Sequence, residues 1–314
     1  MNTLKLVVAG IDDTVHGIRT LTLSDPDGTP LPSFTPGSHI VLECAGRANA
    51  YSLTGEGDSP GTYVISVLRR AESDGGTGGS RWIHDELALG DTVAATPPRS
   101  AFAPVLRARR HLLVAAGIGI TPMVSHLRSA RRWGRDARLI YVHRTGRGAY
   151  LDTVSQLSEH ISVHTDRAAF TADLLAALGD QPFGTHLYIC GPAAFIDDVT
   201  SAAARLGWPP SRIHLEHFGA EALDPGVPFP ARIASTGEQF TVDAGVSLLE
   251  ELERRGIEVP NLCRRGVCGE CRVPVSGGAI THRDLYLSDA ERQAGDALMA
   301  CVSRGGPETL EVAL

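Results

Sequence analysis

The pattern of apolar and polar positions divides the 314-residue chain into three segments with different periodicities. The first hundred residues contain short apolar runs of strand character, such as 39–44 and 62–67. The turn signals that separate the runs lie at 36–37, 55–61 and 75–79. Many short strands at this spacing are typical of an antiparallel barrel or sandwich.

The second segment alternates apolar strands with helical patterns. Strands are predicted at 112–116, 138–143 and 186–190. Helical patterns follow each of them, the first reaching Arg132, the second covering 149–159 and the third ending at Gly207. Strands that alternate with helices indicate βαβ units and a parallel sheet.

The third segment follows a stretch with two prolines and a glycine, residues 221–229, which we interpret as a linker. The remaining residues contain two predicted strands, a helix opened by the capping box Ser247-Leu-Leu-Glu250, and a final strand at 309–314. The sequence therefore predicts three domains, at residues 1–106, 107–222 and 230–314.

Composition and charge exclude several classes of protein. With 43% hydrophobic and 21% charged residues, the chain is neither disordered nor fibrous. Its longest apolar run, Leu112 to Ile120, is far shorter than the roughly 20 residues that a membrane span needs. Asp12 and Asp13 interrupt any signal-like core near the N-terminus. A net charge of −7 argues against nucleic acid as a partner. We expect a cytoplasmic monomer.

Four of the six cysteines are clustered in the third segment. They form C-x4-C-x2-C followed by a distant fourth cysteine, and are Cys263, Cys268, Cys271 and Cys301. This spacing is typical of plant-type [2Fe–2S] ligands, and Gly266 and Gly269 let the loop curl tightly around a cluster. Zinc is the competing interpretation, but zinc sites usually pair one close cysteine pair with another. Four buried free thiols are the remaining alternative.

The segments 263–271 and 298–304 resemble the C-terminal ferredoxin domain of the phthalate dioxygenase reductase family, which includes the vanillate O-demethylase reductases. The resemblance covers the whole chain. It implies an antiparallel flavin-binding β-barrel, a parallel-sheet nucleotide-binding α/β domain and a β-grasp ferredoxin domain, in that order. It also implies an NAD(P)H:acceptor oxidoreductase that passes electrons from NADH through FMN to the [2Fe–2S] cluster and on to a terminal Rieske-type oxygenase.

The flavin site is implied by two motifs of the first segment. Asn49-Ala-Tyr51-Ser52-Leu53 matches the family's Arg-x-Tyr-Ser-Leu, in which the tyrosine and serine contact the flavin. Residues 75–80 form a glycine-rich loop that opens a helix predicted from Ser80 to Gly90, an arrangement suited to phosphate. The implied flavin-binding residues are Asn49, Tyr51, Ser52, Leu53, Val67, Leu68, Gly78, Gly79 and Ser80.

Two departures from the family pattern affect this site. Arginine stands in the family where this chain has Asn49 and Thr77, and each missing guanidinium removes a charge-assisted bond of about 1.5–3 kcal/mol. Arg47 and Arg81 are candidate replacements. The resemblance favours FMN over FAD.

The nucleotide site is implied by three motifs of the second segment. Gly117-Ile-Gly-Ile-Thr-Pro122 differs from the G-x-G-x-x-G fingerprint but resembles the family's Gly-Gly-Ile-Gly-Ile-Thr-Pro, with Ala116 in place of the first glycine. Residues 190–192 resemble the motif that lies beside the nicotinamide, and 214–218 resemble the His-x-Glu-x-Phe element near the flavin. The implied binding residues are Gly117, Gly119, Thr121, Arg144, Cys190, Gly191, Pro192 and Phe218. The implied catalytic residues are Cys190, Tyr51 and Ser52.

Several questions stay open from the sequence. Arg144 and Arg147 stand where a 2′-phosphate of NADPH would bind, but they equally suit a solvated loop or the pyrophosphate of NADH, which the family prefers. The acceptor is either an oxygenase or a cytochrome P450, since the same module is fused to some bacterial cytochromes P450. A second enzymatic alternative is an FAD-containing ferredoxin reductase whose cluster serves another acceptor, such as a P450. A non-catalytic ferredoxin-like carrier or sensor is the third alternative. Arginines near the cluster, Arg264, Arg265 and Arg272, either steer an acidic partner or form ordinary solvated charge.

Overall fold

The computed structural model describes residues 3–45, 47–70, 78–100, 102–218, 226–261, 266, 269–284 and 286–314. The chain forms two compact units, an N-terminal unit (Met1–Gly219) and a C-terminal unit (Ala220–Leu314). Within the described ranges, no helix has the length and apolar character needed to cross a bilayer.

An antiparallel sheet of seven strands forms the first half of the N-terminal unit. The strands are β1 (Leu4–Asp12), β2 (Ile18–Ser24), β3 (Ser38–Cys44), β4 (Arg47–Ser52), β5 (Thr62–Leu68), β6 (Thr92–Ala95) and β7 (Arg99–Ser100). Their order is β4-β3-β6-β1-β2-β5, with β7 beside β3. Just beyond β4, the amide of Thr54 donates to the carbonyl of Val64 on β5 at 2.9 Å. This bond joins the two edges, and the predicted barrel is confirmed as a near-closed one.

Helix α1 (Gly79–Asp85) covers the barrel and is shorter than the predicted helix. Its Ile83 is fully buried in the barrel core. The helix ends at Asp85, before Gly90, because the chain leaves the helical path to meet β1. The amide of Gly90 donates to the carbonyl of Val8 on β1 at 2.9 Å.

A parallel sheet of five strands forms the second half of the N-terminal unit. The strands are β8 (Arg110–Ala116), β9 (Asp136–Val142), β10 (Ile161–His164), β11 (Thr185–Gly191) and β12 (Ile213–His217). The helices are α2 (Ile120–Arg132), α3 (Leu151–Leu157), α4 (Arg167–Gly179) and α5 (Ala193–Arg205). The predicted parallel sheet is confirmed, but β10 and α4 are absent from the prediction. Strand β10 lies at the sheet edge without a fully buried residue, so its sequence lacks the continuous apolar run of a central strand.

The strand order of this sheet creates a crevice. The order is β10-β9-β8-β11-β12, so the chain leaves β8 toward β9 and later returns to the opposite side of β8 as β11. In open parallel sheets, ligands bind outside the carboxyl ends of the strands at such a reversal. The ends of β8 and β11 therefore mark the expected binding edge.

The C-terminal unit has a mixed sheet with one helix in its core. The sheet order is β14-β13-β19-β15-β17, made of β13 (Phe229–Ile233), β14 (Gln239–Val242), β15 (Arg272–Gly277), β17 (Ala297–Met299) and β19 (Leu310–Val312). A two-stranded pair and two helices complete it: β16 (Ile280–Thr281), β18 (Arg304–Gly305), α6 (Leu248–Arg254) and α7 (Asp289–Ala294). Strands β13 and β19 are parallel, and α6 buries Leu248, Leu249 and Leu252. The predicted β-grasp fold is confirmed.

Two local predictions concern the start of this unit. The capping box at the start of α6 is present, because Ser247 and Glu250 exchange side-chain and backbone hydrogen bonds. The predicted linker extends one residue too far toward the C-terminus, because Phe229 is a buried residue of β13. Residues 221–225 of the linker lie outside the described residues.

Candidate functional site

Two of the predicted nucleotide motifs meet at the ends of β8 and β11. A 3-10 turn, Gly117–Gly119, follows β8 directly. Gly117 has a φ of +56°, a left-handed conformation that favours glycine. A Cβ added to Gly119 would lie 2.3 Å from the carbonyl oxygen of Cys190 and 2.9 Å from the amide nitrogen of Gly191. Only a glycine at position 119 permits the turn and the end of β11 to approach so closely.

The remaining residues of this edge differ in what they offer to a ligand. The hydroxyl of Thr121 is buried and donates to the carbonyl of Ile118 at 3.0 Å, so it stabilises the turn itself. Pro192 is exposed, and its carbonyl accepts the amides of Phe195 and Ile196 as α5 begins. Gly191 lies against the Phe195 ring, which a Cβ at position 191 would approach to 2.7 Å.

Cys190 has a neighbour to which the sequence prediction assigned no role. Its buried sulfur lies 4.0 Å from a carboxylate oxygen of Glu216, its register partner on β12. Phe218, just beyond β12, is half-buried and packs in the same apolar cluster as Cys190 and Leu68. The sequence contains a signal that could have identified Glu216. It lies two positions before Phe218, and residues two positions apart on a strand share a face.

Arg144 and Arg147 lie in the turn that follows β9. The amide of Arg147 donates to the carbonyl of Arg144 at 2.9 Å, and both side chains are exposed. The sequence prediction placed Arg144 among the binding residues, and its exposure leaves its guanidinium accessible to a ligand from solvent.

Asn49 and Tyr51 lie on one face of β4, opposite Leu42 and Ile40 of β3. Burial raises the pKa of the nearby Cys44 thiol to about 11, although hydrogen bonds with the side chains of Tyr51 and Asn49 lower it. Burial also raises the pKa of Tyr51, and the neighbouring thiol adds to that effect. Both groups are therefore neutral at physiological pH.

Ser52 lies on the opposite face of β4, paired with His39. It is only 5% exposed, and its hydroxyl has no hydrogen-bond partner among the described residues. A buried hydroxyl without a partner costs about 1–3 kcal/mol, so this atom is suited to a ligand that supplies the missing bond.

The glycine-rich loop meets β4 at Asn49. Gly78 precedes α1 with a φ of +90°, and a Cβ at Gly79 would lie 2.2 Å from Nδ2 of Asn49. The hydroxyl of Ser80 accepts the amide of Arg70 at 3.2 Å. Residues 71–77, including Thr77, lie outside the described residues, as does the side chain of Arg47.

The other three predicted flavin-binding residues border this region. Leu53 is fully buried in the barrel core, which leaves its backbone for a ligand. The carbonyl of Val67 faces Nε2 of His84 on α1 at 2.9 Å, and Leu68 belongs to the cluster around Cys190. The structure thus brings Asn49 together with Gly79, and Leu68 together with Cys190.

Two of the four predicted metal ligands are described, and their sulfurs converge. The sulfurs of Cys271 and Cys301 are buried and lie 3.1 Å apart, well beyond the S–S bond length of about 2.05 Å. The amide of Gly266 donates to the sulfur of Cys301 at 3.3 Å. Cys263 and Cys268 lie outside the described residues. Converging buried thiols with an amide directed at one sulfur fit a thiolate-bound iron–sulfur cluster.

The glycines of this loop are required by its shape. Gly266 and Gly269 have φ values of +70° and +82°. A Cβ on Gly266 would lie 2.5 Å from Val302, and one on Gly269 would lie 2.4 Å from the Tyr286 ring. On the surface nearby, Arg272 pairs with Glu291 at 3.4 Å, whereas Arg264 and Arg265 lie outside the described residues.

Two family models match the chain. Residues 91–213 match the model described as dimethylamine monooxygenase subunit DmmA-like, N-terminal domain. Residues 231–304 match the 2Fe-2S iron-sulfur cluster binding domain.

Whole-chain comparisons find relatives of the same length. The chain is 41% identical to the heme-dependent oxidative N-demethylase beta subunit of Ectopseudomonas mendocina (strain ymp) over 97% of both chains. It is 34% identical to the phthalate dioxygenase reductase of Burkholderia cepacia, covering 96% of this chain and 94% of the relative. A solved structure of phthalate dioxygenase reductase, described as modular for electron transfer from pyridine nucleotides to [2Fe–2S], is similar with a TM-score of 0.77 and 33% identity. The match covers 100% of this chain and 98% of that one.

Proposed function

Since the chain belongs to the phthalate dioxygenase reductase family, we propose that it passes electrons from NADH through FMN to a [2Fe–2S] cluster and on to a terminal oxygenase. The observation that carries this proposal is the convergence of Cys271 and Cys301 in a domain that matches the 2Fe-2S model. The proposed functional domains are residues 1–106 for flavin, 107–222 for the nucleotide and 230–314 for the cluster.

The nucleotide is proposed to bind at the crevice between β8 and β11. The backbone amides of the Gly117–Gly119 turn are suited to the pyrophosphate, since α2, which follows the turn directly, has no side-chain cap and no acidic residue in its first turn. Cys190 is proposed to lie beside the nicotinamide, with Glu216 next to it. The exposed Arg144 would contact the nucleotide from the β9 turn, and NADH is the proposed donor.

Replacing Gly119 by alanine is expected to damage this crevice. The new Cβ would press on backbone atoms of Cys190 and Gly191 that have no room to move, which should cost about 1–3 kcal/mol of stability and weaken NADH binding about tenfold or more. Urea unfolding and NADH titration measure the two effects. Gly179→Ala at the end of α4 is the control, because a Cβ there meets nothing within 4 Å. Equal behaviour of the two variants would contradict the crevice.

The flavin is proposed to bind along β4 and the start of α1. FMN supplies the chemistry that converts a two-electron hydride into single electrons. Ser52 would provide a hydrogen bond from its unpartnered hydroxyl, and Tyr51 an aromatic face, since its ring is half-buried against the barrel core. Asn49, Gly78, Gly79 and Ser80 would surround the phosphate end, where Asn49 and Gly79 are in contact.

Ser52→Ala is expected to separate flavin binding from stability. The Ser52 hydroxyl has no partner within the described residues, so its removal should not lower the stability of the flavin-free protein and should raise it by up to about 1–3 kcal/mol. The dissociation constant of FMN should rise about tenfold, which corresponds to about 1.4 kcal/mol. Ser125→Ala is the matched control, because its buried hydroxyl accepts the amide of Gly37 and donates to Pro122, so it should destabilise the flavin-free protein. A Ser52→Ala protein that binds FMN normally would remove Ser52 from the site.

The acceptor is proposed to be a Rieske-type oxygenase that performs O-demethylation or ring hydroxylation. A haem-containing N-demethylating oxygenase is a second candidate, favoured by the relative named heme-dependent oxidative N-demethylase beta subunit. We also propose that the protein works in the cytoplasm, because a reducing compartment keeps the cluster thiols available. We propose further that it works as a monomer.

Anaerobic NADH titration of the purified protein tests the proposal. Flavin and iron–sulfur absorbance bands that bleach together would support it. Iron–sulfur bands that ignore NADH even after FMN is added would contradict it and favour a carrier or sensor. Electron delivery to a Rieske oxygenase and to a haem N-demethylase, compared at equal concentration, then distinguishes the two acceptors.

A further inference from the structure

One hydroxyl group connects the barrel to the loop that joins β9 to α3. The hydroxyl of Tyr150, the last residue of that loop, lies 2.6 Å from Oγ of Ser66 on β5. It also lies 3.1 Å from Oγ1 of Thr54, just beyond β4. Ser66 and Thr54 are buried, with 5% and 1% of their surfaces exposed. The bond therefore joins the two halves of the N-terminal unit away from bulk water.

The direction of each hydrogen bond in this group follows from Thr54, whose hydroxyl also bonds to a backbone carbonyl. Thr54 donates its only hydroxyl proton to the carbonyl of Val64 at 3.1 Å, so it must accept the proton of Tyr150. Tyr150 then accepts from Ser66, and Ser66 accepts from Thr20, whose hydroxyl lies 2.6 Å away. The four hydroxyls form one chain in which each donates once, and such chains strengthen their members.

The backbone of Tyr150 also depends on this anchor. Its φ is +61°, a left-handed conformation that costs a bulky residue about 1–2 kcal/mol. Such strain persists where surrounding contacts over-determine the conformation. The side chain supplies these contacts through its hydroxyl and through its ring, which packs in the apolar cluster.

Tyr150 lies where the two proposed cofactor sites approach each other. Thr54 follows Ser52 by two residues, and Ser66 precedes Val67 and Leu68. The ring of Tyr150 shares its apolar cluster with Leu68 on the flavin side and with Cys190 on the nucleotide side.

We propose that Tyr150 is a positioning residue for hydride transfer, and this inference rests on the proposed function. Its hydroxyl fixes the loop after β9, which carries Arg144, against the strands that hold the flavin. Hydride transfer needs the reacting atoms within about 3–3.5 Å, and a misplacement of about 1 Å can cost about 100-fold in rate. Tyr150 touches neither reacting atom in this role and acts through the loop it holds.

The test compares Tyr150→Phe with the wild-type holoenzyme. At saturating NADH, the anaerobic rate of flavin reduction is expected to fall about tenfold. The NADH dissociation constant should change less than about threefold, and the isotope effect with NADH deuterated at the transferred position should increase. Reduction of the cluster by dithionite should not change, since it bypasses the nucleotide.

Tyr63→Phe is the matched control. Tyr63 is a fully buried tyrosine of β5, and its hydroxyl donates to the carbonyl of Pro32 within the barrel at 2.6 Å. It should lower stability without slowing flavin reduction. Thr20→Val, which removes the first donor of the chain, provides a second variant if Tyr150→Phe fails to fold, and it should cause a smaller decrease in rate.

Equal flavin-reduction rates and isotope effects in Tyr150→Phe and Tyr63→Phe would overturn this inference while leaving the proposed function intact. For a Tyr150→Phe protein that does not fold, a wild-type rate in Thr20→Val would overturn it instead. A wild-type protein whose bound FMN is not reduced by NADH would overturn the proposed function itself, and the inference with it.

Discussion

Cys301→Ala is expected to lose the iron–sulfur cluster completely while keeping the reduction of flavin by NADH. The sulfur of Cys301 is buried, lies 3.1 Å from that of Cys271 and accepts the amide of Gly266. Thiolate sulfur is the ligand that such clusters require, and alanine supplies none. Iron content and visible absorbance of the purified protein measure the loss, and an anaerobic NADH titration measures the retained flavin reduction.

Cys44→Ala is the control for this prediction. Cys44 is also a buried cysteine, but it lies in the barrel core. Its removal should leave the iron content unchanged. A Cys301→Ala protein with a full complement of iron and cluster absorbance would show that the fourth ligand is another residue.

Acidification is expected to destabilise the N-terminal unit by up to about 5 kcal/mol through His126 alone. Burial lowers the pKa of His126 to about 3, although its hydrogen bond to the carbonyl of Phe102 at 2.8 Å opposes this. Because Nε2 donates to that carbonyl, the neutral ring has its unprotonated nitrogen at Nδ1, which has no partner among the described residues. A second proton would place an unpaired charge in the interior.

The sign of this effect follows from proton binding. An unfolded histidine takes up its proton near pH 6.5, whereas folded His126 does so only near pH 3. The unfolded state therefore binds more protons between these values, and the stability present above about pH 6.5 falls by about 1.4 kcal/mol per pH unit below it. His214 adds to the loss, because burial and the neighbouring His186 and His111 lower its pKa to about 4.

The measurement uses the tryptophans, all three of which lie in the N-terminal unit. Urea unfolding followed by tryptophan fluorescence at about pH 7.5 and about pH 5 should show a clear loss of stability in the wild type. His126→Gln keeps an amide that can donate to Phe102 but does not titrate. The His126→Gln protein should be less stable than the wild type at the higher pH, and its stability should fall less than that of the wild type on acidification. Identical losses in the two proteins would exclude His126 as a major source.

Local patterns in the sequence predict much of the fold and of the cluster site, because those features depend on neighbouring residues. The capping box of Ser247 and Glu250 forms as predicted. Gly266 adopts the left-handed conformation that a tight ligand loop needs. Strand β10 escapes prediction because an edge strand is only partly buried, so its sequence has no continuous apolar run.

The features that the sequence does not reveal arise from long-range packing. Gly119 must be glycine because Cys190, 71 positions later in the chain, crosses in front of it. The Ser52 hydroxyl is left without a partner by the surroundings of β4 rather than by any neighbour in sequence. Tyr150 reaches Ser66 and Thr54, which are 84 and 96 positions away.

By itself, the sequence determined the order of the three folds, the spacing of the cluster ligands and the family, because periodicity, turn residues and ligand spacing are written locally in the chain. Only the tertiary structure decided which groups are left unsatisfied, which thiols converge and which hydroxyl joins the barrel to the loop after β9. These depend on how strands distant in sequence pack together, since burial and hydrogen-bond satisfaction are properties of the packed interior rather than of any single segment.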